Sequence, residues 1–197
     1  MLRFLAILIL RALRWRIDGA LPELDKYVII GAPHTSNLDG AVFLCGVAIL
    51  RVRLRFLAKA SLLRGPVGAL FRHFGAIGVD RSRAHNLTSE LAERFRSERH
   101  FILALGPDGT RSYRPYWKSG FYHIARAAGV PVLLIGIHGA ERRIVLGPTI
   151  ELSGDVRADM ERIRAFYALY GSGVRPEHVG PVRLVEEDEG GLDSEMS

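Results

Sequence analysis

The chain is predicted to be an α/β protein with a central mixed, mostly parallel sheet flanked by helices. Three observations support that reading. Short, fully apolar runs at residues 27–30, 101–105 and 132–137 have the length and composition of strands buried on both faces. Segments with helical spacing of apolar residues lie between the runs, and this alternation builds layered α/β folds. Run after run ends in a charged or glycine-rich turn, the pattern expected where parallel strands deliver side chains to one open edge.

Taken in order, residues 1–17 alternate apolar stretches with arginine, placing Arg3, Arg11 and Arg14 on one side of a helical wheel and Phe4, Ile7 and Leu8 on another. The unbroken apolar run falls far short of the roughly 20 residues a spanning helix needs, and no small-residue cleavage site follows it. The segment reads as a basic amphipathic helix, either in a membrane interface with Trp15 near the headgroups or docked on the core. Residues 18–185 form the main domain. The first strand, 27–30, runs into Gly31-Ala32-Pro33-His34-Thr35-Ser36-Asn37-Leu38-Asp39-Gly40, where Ser36 or Asn37 can cap an apolar helix reaching residue 50. Cys45, the single cysteine, sits in that helix as a small core residue.

A second strand at 54–58 leads to Lys59, and a helix at 65–74 opens with Pro66 and stops at Gly75. Residues 76–79 form a third strand that delivers Asp80 and Arg81. Leu87, Leu91 and Phe95 mark one face of the next helix. The buried strand 101–105 then enters the turn Gly106-Pro107-Asp108-Gly109-Thr110-Arg111-Ser112. Phe121, Ile124, Ala125 and Ala128 form a helix closed by Gly129 and Pro131, followed by strand 132–137. Weaker strands follow at 143–146 and 149–152, and Asp155 caps a last helix carrying Met160, Ile163 and Tyr167. The acidic residues 186–197 are expected to be a disordered tail.

His34 and Asp39 could not meet on one regular helix, where five residues turn the side chains about 140° apart. They can meet if His34 lies in the turn before the helix and Asp39 in its first turn; on spacing alone, a helix-capping Asp39 with a half-buried His34 in a loop is the alternative. An aspartate accepting from one imidazole nitrogen would make the other a directed proton acceptor, a general base with its orienting carboxylate. Lys59, Arg81, Asp108 and Arg111 follow later strands, so a shared edge would ring that base with cations suited to an anionic hydroxyl-bearing acceptor. The net charge is +6, but 24 of the 27 basic residues are arginine. No aromatic–basic ladder or zinc spacing accompanies that bias, which argues against a nucleic-acid partner.

In its motifs the chain resembles the glycerolipid acyltransferases, the group containing 1-acylglycerol-3-phosphate acyltransferase. His34 to Asp39 is similar to the family's H-x4-D motif, and Gly78-Val79-Asp80-Arg81 to its arginine-ending second block, with Lys59 at an upstream basic position. Pro107-Asp108-Gly109-Thr110-Arg111-Ser112 resembles the Pro-Glu-Gly-Thr-Arg-Ser block, and Val130-Pro131-Val132 the fourth. Trp117-Lys118-Ser119-Gly120 sits where the family has a lysine–glycine pair.

The resemblance implies acyl transfer from acyl-CoA or acyl-carrier protein to the free hydroxyl of lysophosphatidate or a related lysolipid, with no cofactor beyond the donor. His34 and Asp39 would be the catalytic pair. Lys59, Arg81 and Arg111, with Asp108, Gly109 and Thr110, would bind the acceptor. Backbone amides near Ser36 would stabilise the oxyanion. The bilayer residence of such substrates favours a peripheral position on the cytoplasmic face of a membrane, with residues 1–17 as the anchor. Two departures bear on the acceptor: Asp108 replaces the usual glutamate, and Gly106 and Gly78 stand where bulkier residues are common. Another lysolipid or lyso-aminolipid acceptor, and a non-catalytic lipid-surface role, remain open at this point.

Overall fold

The computed structural model describes residues 2–79, 87–109 and 112–189. Its centre is a seven-stranded sheet of order β1-β7-β6-β2-β5-β3-β4. The strands are β1 (Arg16–Asp18), β2 (Lys26–Ala32), β3 (Arg55–Lys59), β4 (Ala76–Val79), β5 (Phe101–Leu105), β6 (Val132–His138) and β7 (Arg143–Ile150). Every pairing is parallel except β6 with β7. The expected mixed, mostly parallel sheet is therefore present, and β2 through β6 all point their C-terminal ends to one edge.

Strand β2 lies between β5 and β6, and its alternate side chains build both cores. Val28 and Ile30 join Leu103, Val132 and Leu134 beneath the helices α4 (Leu87–Ser97), α5 (Gly120–Ala128) and α6 (Val156–Tyr170). Tyr27 and Ile29 join Ala104 and Leu133 on the other face, under Val47 of α2 (Asn37–Leu50). Helix α2 is apolar nearly all round because the sheet covers one side and α1 (Leu2–Ala12) covers another, through Ala6 and Leu10 packed with Val42 and Cys45. A short helix α3 (Gly65–His73) links β3 to β4.

Three expectations are corrected. The N-terminal helix ends at Ala12 rather than running to residue 17. Arg14 takes a left-handed φ of 57°, and residues 16–18 leave the helix to pair with Arg143–Val145 as an edge strand. Trp15 consequently lies in the core, where a headgroup position had been expected. Residues 143–150 form one strand, not two, although Gly147 and Pro148 interrupt the apolar pattern. Strand β1 covers only Arg143–Val145, so among the described strands Pro148 neighbours β6 alone and a missing donor is tolerated. Finally, Glu186–Glu189 is a helical turn, α7. Within it Glu187 pairs with Arg164 at 3.0 Å and Asp188 accepts from the Tyr116 hydroxyl at 2.6 Å. The rest of the expected tail, 190–197, lies outside the described residues.

Candidate active site

Strands β2 and β5 are neighbours, with Ile30 paired to Leu105. The turns that leave them, 31–36 and 106–109, therefore rise side by side from the same edge, bringing His34 against Asp108. The His34 backbone amide donates to the Asp108 carboxylate, and the imidazole Nδ1 lies 3.6 Å from Asp108 Oδ1. Nδ1 and Oδ1 are both buried, and among the described residues neither has a hydrogen-bond partner. The His34 side chain keeps 35% of its surface open while Asp108 keeps 13%, so the ring presents its remaining edge outward. Burial pushes the Asp108 carboxyl above the usual carboxylate range, against the opposing pull of His34 and of the His34 and Gly109 amides.

Asp39 is placed differently from the expectation. Its fully buried carboxylate accepts from the amides of Thr35 (2.5 Å) and Ser36 (2.8 Å) and from the Ser36 hydroxyl (3.0 Å). It sits at the third position of α2 and reaches back to the capping residue Ser36, the carboxylate half of a capping box. Among the described residues no hydrogen bond or ion pair joins it to His34; the carboxylate beside the imidazole is that of Asp108. The same bonds engage the Thr35 and Ser36 amides that had been expected to face an oxyanion. The signal was available in Ser36-x-x-Asp39, which has the spacing of a capping box.

The remaining expected residues divide into two groups. Lys59 ends β3 on the shared edge and is exposed. Gly109 has a left-handed φ of 64°, which glycine adopts without strain; the mobile end of the Lys118 side chain lies within 2.7 Å of where a Cβ would stand. Arg81, Thr110 and Arg111 lie outside the described residues, as does the second block's Asp80. Lys118 packs over the 107–109 turn and donates its amide to Pro107 at 2.7 Å.

Residues 172–183 were not anticipated as part of the site. They cross it as a strap: Val174 and Arg175 donate their amides to Thr35 Oγ1 at 3.0 Å each, and His178 Nδ1 lies 3.4 Å from the Thr35 carbonyl. Beneath the strap is a small cleft lined by Pro33, Asp108, Arg114, Tyr167, His178 and Val179. No periodic or motif signal in 172–183 marks this contact; it depends on one threonine hydroxyl reached across the fold. Among the described residues no cluster of His, Cys, Asp or Glu is arranged to hold a metal ion.

A family model described as Acyltransferase matches residues 14–138, a span that includes His34, Asp39 and Asp108. The chain belongs to that family. It is 30% identical over 139 residues to a 1-acyl-sn-glycerol-3-phosphate acyltransferase of Haemophilus influenzae, across 66% of this chain and 55% of the relative. It thus spans about half the length of that curated relative. The crystal structure of the 1-acyl-sn-glycerophosphate (LPA) acyltransferase PlsC from Thermotoga maritima has the same fold, with a TM-score of 0.61 over 86% of this chain and 77% of that one, at 18% identity.

Proposed function

We propose that this acyltransferase moves a fatty acyl group from a thioester, acyl-CoA or acyl-carrier protein, to the free hydroxyl of lysophosphatidate in phospholipid synthesis. The observation that carries the reading is a half-open imidazole, backed by a buried carboxylate, at the sheet edge within the family-matched span. His34 Nε2 takes the hydroxyl proton as the acceptor oxygen attacks the thioester carbonyl carbon. The tetrahedral intermediate then expels the thiolate as the C–S bond breaks, and the proton on Nε2 passes to the leaving sulfur. General-base catalysis of this kind is typically worth about 10²–10⁴-fold. Asp39 serves the step by holding the 34–36 turn in shape. Lys59, Arg81 and Arg111 would grip the acceptor phosphate, with Gly109 and Thr110 shaping the turn around it.

Helix α1 leaves Leu2, Phe4, Leu5, Leu8 and Ile9 exposed beside Arg3 and Arg11. This apolar face with basic flanks suits the interface of an anionic bilayer, which supports our reading of a peripheral position on the cytoplasmic face of a membrane. No helix among the described residues is long and apolar enough to cross a membrane.

A second acceptor reading has one observation in its favour. Asp108, which matches the family's acceptor-pocket glutamate, is turned to His34 instead, leaving room for a different lysolipid headgroup. Incubating the protein with palmitoyl-CoA and a panel of lysolipids, followed by mass spectrometry, decides between them. Phosphatidate is the expected product. Acylation of a different lysolipid alone would reassign the acceptor, and no product from any would leave a non-catalytic lipid-surface protein.

A further inference from the structure

We infer that the 3₁₀ turn Ala60–Leu63 and helix α3 form a second bilayer contact, on the opposite flank of α2 from α1, and that the two together seat the protein on an anionic lipid surface. The inference deepens the peripheral-membrane reading given for α1 and rests on it.

Helices α1, α2 and α3 share one side of the sheet. On one flank of α2, Ala6 and Leu10 of α1 pack with Val42 and Cys45. On the other, the Phe43 ring meets Phe56 of β3 edge-on at 5.6 Å, and Phe56 meets Phe71 of α3 at 6.2 Å. Helices α4, α5 and α6 cover the opposite side of the sheet.

What the turn and α3 leave uncovered is apolar and basic. Leu63 lies over Gly78, where a Cβ would come within 3.0 Å of its Cδ1. Leu62 beside it is 52% exposed, and Leu70, next to the docked Phe71, is 45% exposed. Among the described residues, seven of the eleven exposed large hydrophobic side chains belong to α1, this turn and α3, so the exposure is gathered on one side of the sheet. Residues 60–73 and α1 contain no acidic residue, and the one in α2, Asp39, is buried. Arg3, Arg11, Lys59, Arg64 and Arg72 are exposed, and among the described residues none of them pairs with a carboxylate. Residues 1–79 hold 11 of the 27 Lys and Arg but only 4 of the 21 Asp and Glu, so all of the net positive charge lies in the part of the chain that supplies these helices.

Apolar side chains ringed by unpaired arginines fit the headgroup region of an anionic bilayer. A lipid surface is broad enough to meet both flanks of α2 at once, whereas a compact acidic protein seated on α3 would leave the apolar face of α1 in water. The turn follows Lys59 directly, at the end of β3 that shares an edge with His34. Contact there holds the site's edge of the sheet against the surface in which a lysolipid resides.

The test uses the whole chain with vesicles of phosphatidylcholine and phosphatidylglycerol, part of the phosphatidylcholine being brominated on its acyl chains. Trp15 and Trp117 are both buried, so a tryptophan placed at an exposed position reports its own contact with lipid. Leu62→Trp and Leu70→Trp are expected to be quenched by the brominated chains, as is Phe4→Trp. In flotation, Leu62→Asn/Leu70→Asn should weaken vesicle binding about tenfold with Tm retained. Arg64→Gln should weaken it roughly fivefold on the anionic vesicles and leave binding to pure phosphatidylcholine unchanged.

Quenching at Phe4→Trp with none at Leu62→Trp or Leu70→Trp overturns the second contact and leaves the reading of α1 standing. Absence of quenching at all three positions overturns both. Unchanged flotation of Leu62→Asn/Leu70→Asn, with a raised KM for an acyl-carrier-protein donor, also overturns the inference and gives the surface to that acidic carrier.

Discussion

Replacing Asp39 with alanine separates two roles for the motif's aspartate. The change removes a fully buried carboxylate that accepts from the amides of buried Thr35 and half-buried Ser36 and from the Ser36 hydroxyl. A buried backbone donor left without a partner costs about 1–3 kcal/mol, and bonds to a charged acceptor lie toward the upper end of such effects. Two stranded amides and one weaker hydroxyl bond give a loss of about 3–6 kcal/mol. For a domain of this size 1 kcal/mol corresponds to about 2–4 °C in Tm, so a fall of about 6–24 °C is expected. Asparagine keeps oxygens for the amides but loses the charge, and should recover more than half of that. Scanning calorimetry on the two variants, with transferase rates measured well below each Tm, gives both numbers. Stability and activity should fall together in the alanine variant, because the turn that carries His34 loosens. An alanine variant with wild-type Tm and no activity would refute the reasoning and return Asp39 to direct work on the imidazole.

Other outcomes follow from the same bonds. Thr35→Val keeps the shape but strands the Val174 and Arg175 amides; Tm should drop by about 4–10 °C, with new protease cleavage inside 172–183. Burial raises the Asp108 carboxyl, so ionising it in the folded chain works against stability once the pH passes the ordinary carboxylate value. Asp108→Asn should therefore be at least as stable as wild type at pH 7 in chemical denaturation, with any advantage vanishing at pH low enough to keep the carboxyl protonated in both folded and unfolded chains. Tyr122 donates to Asp159 at 2.8 Å. Burial alone would raise the Asp159 carboxyl, but bonds from the Ser153 amide, Tyr122 and Gly154 outweigh it and hold the pKa low. The stability this contributes is present above the ordinary carboxylate value and is lost as pH falls through the lowered one. Tyr122→Phe should cost about 1.5–3 kcal/mol at pH 7 and lose part of that difference on acidification.

Much of the fold is legible in the sequence because its determinants are local. The apolar run at 101–105 became β5 with the same limits, and Gly129 closes α5 in the left-handed conformation its position implies. Pro66 and Asp155 mark helix starts through their own backbone and side-chain chemistry. The misreadings arise where a distant partner decides the outcome. Trp15 has the spacing of an interfacial anchor, yet a three-residue pairing with β7 pulls it into the core. Glu186 to Asp188 look like a solvated tail until His123, Arg164, Arg183 and Tyr116, distant in the sequence or across a loop, supply partners. At the site, the chain positions of His34 and Asp108 were readable, but which carboxylate faces the ring depends on the adjacency of β2 and β5 and on the space left by Gly106. The strap residues carry no pattern of their own, and their place over Thr35 comes from the fold alone.

The central claim is that His34 is the base of an acceptor-dependent acyl transfer, and acceptor-triggered thiol release tests it most directly. Palmitoyl-CoA with the wild-type chain should release free CoA rapidly only after lysophosphatidate is added. His34→Ala, matched to wild type in Tm, should slow that release by about 10²–10⁴-fold. A folded His34→Ala chain that releases CoA at the wild-type rate on lysophosphatidate addition would contradict it.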